Sequence, residues 1–233
     1  YEGEVPGQVE PLNVSWLFSA DAMNDATTGY AATFGTTAGV EDKTAGDGGQ
    51  YVNANVSGNG KITYVQIDKT SLTFTSDKNG NPYKSTRITG GTGQPYVTGM
   101  WIGDYWLFEA TDGTTYPAGT KVNVSYLTRT SATGIKYWRL EYLDGADWKP
   151  AMEVSTIEGT DLQYNVAMNP DGKTDTQINA VVTLTNPTEN VKFRMVCVGG
   201  TLANGKAIPE GPNGGTCRIS GAEGTSPVIK VIE

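Results

Sequence analysis

The sequence predicts an all-β fold, an antiparallel β-sandwich with very little helix. Three observations point there. Apolar and polar residues alternate with period two in one short run after another. The gaps between those runs are rich in Gly, Asn, Asp and Thr, with 30 glycines in 233 residues, the residues that close tight turns. Stretches with a period of about 3.6 are nearly absent. Short strands separated by turn chemistry every roughly eight to twelve residues argue for packed antiparallel sheets rather than a parallel α/β sheet.

The elements follow in order. LNVSWLF (12–18) is a first strand, and SADAMNDAT (Ser19 to Thr27) is the best helical candidate, with Ser19 placed as an N-cap. TAGDGG (44–49) is a glycine-rich loop. QYVNANV (50–56) and KITYVQID (61–68) flank Ser-Gly-Asn-Gly, and SLTFTS (71–76) and PYKSTRIT (82–89) flank DKNGN, so each pair reads as a hairpin. After a second glycine-rich loop, ITGGTGQ (88–94), come YVTGMWI (96–102), YWLFEA (105–110), KVNVSYLTRT (121–130) and KYWRLEYL (136–143). LQYNVAM (162–168), INAVVTLT (178–185), VKFRMVCV (191–198), CRIS (217–220) and PVIKVIE (227–233) complete the set. Within them Val122, Val124 and Tyr126 share one face, as do Ile178, Ala180, Val182 and Leu184. Each strand thus has one apolar and one largely polar face, as two packed sheets require.

Residues 1–10 (YEGEVPGQVE) read as a flexible lead-in, and 11–233 as a single sandwich domain, with a split near residue 90 as the alternative. A formal net charge of −8 and the lack of any Lys/Arg run argue against nucleic acid or an anionic membrane as partner. No apolar run approaches the roughly 18 residues of a membrane-spanning helix.

Histidine is absent, which removes the commonest general base and metal ligand. No dinucleotide or phosphate loop motif occurs. Glycoside hydrolysis needs only two carboxylates, and Asp104, Glu109, Glu141, Asp144 and Asp147 are candidates, although solvated surface acids are the ordinary reading of such residues. DKNGN (77–81) and NPDGKTD (169–175) crowd oxygen side chains around a glycine turn, so a structural calcium is a candidate; Asx turns account for both without metal. Cys197 and Cys217 leave two readings open, a disulfide tying two late strands or two separate buried thiols. The N-x-S sequons at Asn13, Asn55 and Asn123 carry little weight in a chain this rich in Asn and Ser.

The aromatic residues offer the strongest binding signal. In YWRLEYLDGADWKP (137–150), Trp138, Leu140 and Tyr142 form a core stripe, and Tyr137, Arg139 and Glu141 fall on the opposite face. Trp148, beyond the Asp144-Gly145 turn, is expected to pair across to Trp138, Leu140 or Tyr142. In GMWIGDYWLFEA (99–110), rings fall on both strand faces, and Gly103 resets the phase if it marks a turn. At least one of Trp101, Tyr105 and Trp106 should therefore be exposed or near a sheet edge. The candidate ligand-binding residues are Trp101, Asp104, Tyr105, Trp106, Tyr137, Arg139 and Glu141.

The order of VSWLF, GDGGQYVNA, GDYWLFEA, YPAGTKVNVSY, YWRLEYLDGADWKP, VKFRMVCV and PVIKVIE resembles the jelly-roll modules of surface and secreted proteins of gut Bacteroidetes, akin to galactose-binding-like, carbohydrate-binding β-sandwiches. The resemblance implies a jelly-roll sandwich in a surface lipoprotein or secreted protein, extracellular or at the outer-membrane surface, with its leader removed. It implies a role in binding glycans or the cell surface. With the surplus aromatics and the absence of catalytic signatures, the expectation is a non-catalytic glycan-binding or adhesin-like module with no cofactor beyond a candidate structural calcium, whose partner is a polysaccharide or surface glycan. The alternative is a structural or protein-interaction domain of a surface assembly with a protein partner. A glycoside-active enzyme with a carboxylate pair ranks third.

Overall fold

A computed structural model describes residues 12–17, 55–57, 60–65, 86–89, 92–98, 100, 102–209, 215–220 and 224–232. In chain order the strands are β1 (Asn13–Leu17), β2 (Asn55–Ser57), β3 (Gly60–Val65), β4 (Thr86–Thr89), β5 (Thr92–Thr98), β6 (Tyr105–Ala110), β7 (Thr115–Tyr116), β8 (Lys121–Thr130) and β9 (Ile135–Asp144). Then come β10 (Asp147–Pro150), β11 (Ser155–Thr156), β12 (Gln163–Tyr164), β13 (Val166–Ala167), β14 (Thr176–Thr183), β15 (Thr188–Glu189), β16 (Lys192–Leu202), β17 (Thr216–Ile219) and β18 (Val228–Ile232). The described residues contain no helix. The helical candidate at 19–27, the strand at 71–76 and the oxygen-rich loop 77–81 lie outside them.

Two antiparallel sheets make the sandwich. The larger runs β2-β1-β18-β8-β17-β5-β4, with β14 on the other edge of β8. The smaller runs β10-β9-β16-β6-β3, with β13 also on β9. Successive strands switch between the facing sheets: β5 to β6, β8 to β9, β14 to β16 and β16 to β17 each cross over. That is a jelly-roll path. Both sheets take strands from either side of residue 90, so a boundary there would cut both.

β8 organises the larger sheet. One of its edges carries β14 in register from Thr176↔Thr128 to Thr183↔Lys121. The other is shared end to end by β18, from Val228↔Ser125 to Ile232↔Lys121, and by β17, from Cys217↔Thr130 to Ile219↔Thr128. Between the two, Leu127 accepts from Ser220 N and donates to Thr225 O.

The alternation predicted for KVNVSYLTRT and INAVVTLT is realised. Val122, Val124 and Tyr126 face inward against Ile178, Ala180 and Val182, all buried. From the smaller sheet, Phe108, Phe193, Met195, Trp138 and Leu140 meet them, each fully buried. Phe108 and Tyr126 pack across the gap with ring centroids 4.8 Å apart, and Tyr126 Oη donates to Met195 Sδ at 3.4 Å. Each such apolar side chain contributes roughly 1.5–3 kcal/mol when taken from water.

Two expectations change, and the Asn123 sequon and the two cysteines, left open by the sequence, are placed. Ser-Gly-Asn-Gly does not close a hairpin: β2 pairs with β1 in the larger sheet, and β3 pairs with β6 in the smaller. Of the glycine-rich run 88–94, residues 88–89 and 92–94 are strand rather than loop, β4 pairing with β5 from Thr86↔Pro95 to Thr89↔Thr92. Asn123 is buried and its amide donates to Asn179 Oδ1 at 2.7 Å and Ala180 O at 3.0 Å, so that sequon is closed to a glycan. Cys197 and Cys217 are free, buried thiols on facing sheets rather than a disulfide.

Candidate functional site

The outward face of the smaller sheet gathers the polar side of β9 with two neighbours. Trp138, Leu140 and Tyr142 point to the core, so Tyr137, Arg139, Glu141 and Leu143 point away from it. β16 does the same, with Phe193, Met195 and Cys197 inward and Lys192, Arg194 and Val196 outward. On β6, Tyr105, Leu107 and Glu109 are the outward set.

Register decides who meets whom. Directly paired residues share a face. Arg194 pairs with Leu107 on one side and Glu141 on the other; Val196 pairs with Tyr105 and Arg139. At the β9–β10 hairpin, Asp144 pairs with Asp147, leaving a two-residue loop of Gly145 and Ala146. Gly145 has φ of 67°, a value that suits glycine. This short turn sets Trp148 opposite Leu143 and so on the outward face, not against the core stripe.

A chain of contacts results. Glu141, only 5% exposed, accepts from Arg139 Nε at 2.7 Å through Oε1 and from Arg194 Nε at 2.5 Å through Oε2. The two guanidinium groups are themselves partly exposed, with side-chain exposures of 30% and 22%. The Arg194 guanidinium lies over the Trp148 ring at 4.2 Å from its centroid and 5.3 Å from that of Tyr105, within cation–π range. Arg139 Nη1 also reaches Gln163 O at 3.4 Å. Beyond it Tyr137 packs on Tyr164, centroids 4.4 Å apart, with Lys136 Nζ 5.1 Å from the Tyr137 ring. A bulge in β16 makes room for that ring: Gly200 has φ of 79°, and a Cβ there would sit 2.6 Å from Tyr137 Cδ2.

The predicted residues therefore divide. Tyr105, Tyr137, Arg139 and Glu141 come together on this face. Asp104 and Trp106 do not; both are fully buried, and Trp106 faces the core beside Phe108 and Met195. Burial removes these two from any surface ligand. Trp101 lies outside the described residues. Gly103, with φ of 93°, does mark a turn, and Ile102 before it is exposed.

Sequence reasoning missed Arg194, Trp148 and Tyr164. The signal for Arg194 was present, since it alternates between Phe193 and Met195. Trp148 required the loop length, and Tyr164 required the path of the chain back to β9.

The five carboxylates expected at the surface also divide. Asp104, Glu141 and Asp144 are buried, whereas Asp147 is exposed and Glu109 is half-buried beside Lys192, 3.4 Å away. Asp144 accepts from Lys149 Nζ at 2.6 Å, from the Thr185 and Asn186 backbone at 3.0 and 2.8 Å, and from the Thr185 hydroxyl. Burial alone would raise its pKa, but these donors outweigh it and hold the carboxyl well below the usual range. In the 169–175 loop, Asp171 accepts from the Lys173 and Thr174 backbone and the Thr174 hydroxyl, an Asx turn closed on itself. Among the described residues, no three of Cys, Asp and Glu gather as a metal cluster.

No family model matches the chain, and no curated protein does. Solved structures similar in fold include a xylan-binding module, CBM15, at 13% identity and a TM-score of 0.34, covering 64% of this chain and 82% of that one. A carbohydrate-binding module of Cellvibrio mixtus lichenase 5A, in complex with cellotriose, aligns at 14% identity and a TM-score of 0.31, covering 64% and 87%. CBM32-1 from a family 31 glycoside hydrolase of Clostridium perfringens aligns at 13% and 0.32, covering 74% and 94%.

Proposed function

We propose that the outward face of the smaller sheet binds a glycan without reacting with it. One observation carries this reading: partly exposed rings and guanidinium groups run as a strip across β12, β9, β16 and β10, from Tyr164 and Tyr137 through Arg139, Glu141 and Arg194 to Trp148. Aromatic faces pack against the weakly apolar C–H faces of a sugar ring, and guanidinium N–H groups donate to its hydroxyls. The strip lies on regular strands, which hold it in place before a ligand arrives.

The same geometry favours binding over hydrolysis. Both oxygens of Glu141 are engaged by arginines, Asp104 and Asp144 are buried, and Glu109 is paired with Lys192. A hydrolase needs two carboxyl groups flanking one bond. The proposal includes a location outside the cell, at the surface or secreted, where polysaccharide is met.

Affinity electrophoresis through gels carrying neutral and acidic polysaccharides tests the reading. At least one glycan should retard the protein, and Trp148→Ala and Tyr137→Ala should each weaken that retardation about tenfold. No retardation by any glycan would overturn it, and self-association or capture of one protein partner in its place would favour an interaction domain.

A further inference from the structure

The geometry points to an acidic sugar as the ligand of this face, held through an oxyanion at Arg194. The inference rests on the glycan-binding reading and narrows it to one substrate class.

Charge is the first ground. The chain carries −8 overall, yet the outward side chains of β6, β9 and β16 reverse that sign locally. Arg139 and Arg194 share a single carboxylate, Glu141, so this trio keeps one positive charge. Lys192 offsets Glu109 in the next row, and Lys136 stands over Tyr137 at the far end. A partly exposed cationic centre in an acidic protein attracts anions locally, over about a Debye length of 8 Å at physiological salt.

The second ground is how Arg194 is held. Among the described residues its one hydrogen bond is from Nε to Glu141. That bond holds one edge of the planar group, and the Trp148 ring lies against it, with the ring centroid 4.2 Å away. The two terminal nitrogens remain as a preset pair of parallel donors, a geometry that matches two oxygens of a carboxylate or sulfate better than a lone hydroxyl. Glu141 is here a positioning residue: it is buried, and it acts through the arginines. Tyr105, Tyr137 and Trp148 then supply apolar surface for the ring that carries the acid.

A uronate carboxylate and a sulfate ester share this chemistry, so the experiment uses both. Affinity electrophoresis and calorimetry would compare polygalacturonate, its methyl-esterified form, a sulfated galactan and a neutral xylan, each at low and high salt. At least one acidic polymer should bind tenfold or more tightly than the neutral ones, and added salt should weaken it. Arg194→Gln should remove that preference, and Arg194→Lys, which keeps the charge but not the planar fork, should keep the salt dependence with affinity lowered about tenfold. Circular dichroism establishes that each variant is folded.

Neutral glycans binding as tightly as acidic ones would overturn the inference and leave the glycan-binding reading intact. An acidic preference that survives Arg194→Gln would overturn it too, and so would Arg194→Lys binding as well as the native protein. Absence of binding to every polymer would overturn both readings.

Discussion

Cys197 and Cys217 lie on facing sheets of the sandwich, both buried. Burial pushes the Cys217 thiol up to about 12 and the Cys197 thiol well above its ordinary value, with Asp104 adding to the latter. A protonated, inaccessible sulfur neither attacks nor exchanges. Both cysteines should therefore resist a thiol reagent in the native protein at mildly alkaline pH and react fully in denaturant. Rapid native labelling would show that the core admits solvent, and absence of labelling in denaturant without reductant would show a disulfide. The sequence left these two outcomes open because spacing along the chain does not say which sheet a strand joins. The same limit applied to Glu141. Its face was legible from the alternation of Leu140 and Tyr142, but its burial was not, since Arg194 arrives from a strand 53 residues away.

At the scale of elements, the β9–β10 hairpin shows what a turn decides. Asp-Gly announced it, and its two-residue length put Trp148 on the outward face beside Arg194. Ser-Gly-Asn-Gly announced a hairpin just as clearly and is a crossover instead. Glycine permits a sharp reversal, while the faces to be buried choose the sheet. The hairpin is also clipped from outside: Asp144 receives the backbone of Thr185 and Asn186, and Gly145 N donates to Thr188 Oγ1 at 2.8 Å. Asp144→Asn should cost about 1.5–3 kcal/mol, the usual worth of hydrogen bonds to a charged group. The sign with pH follows from linkage. The carboxyl titrates lower when folded than its ordinary 3.8, so its stabilisation is complete above that value and is lost as pH falls from there through the lower folded-state value. Urea midpoints of native and Asp144→Asn protein should thus lie apart at neutral pH and converge in acid. A gap that stays constant would assign the loss to shape rather than charge.

Across the whole molecule, the fold class was legible and the pairing was not, because period two is written locally while partners are chosen across the chain. The clearest case is the last strand. PVIKVIE reads as one more apolar run, yet β18 is central in the larger sheet, with β8 on one side and β1 on the other. Ile229 lies between Val14 and Val124 and is fully buried. β1 reaches β8 only through β18, and β2 reaches it only through β1. The final strand therefore joins the chain's first described strand to its middle, a pairing of long sequence separation. Ile229→Ala should cost about 2–5 kcal/mol, the range for truncating a buried isoleucine. Removing residues 227–233 should cost more than a domain's whole margin of roughly 5–15 kcal/mol, since it also unpairs two strand edges and opens the core face they cover. Thermal unfolding followed by circular dichroism should then show no cooperative transition for the truncated chain and a lowered one for Ile229→Ala. A truncated chain that melts sharply near the native midpoint would mean that β1 and β8 close the sheet without their central partner.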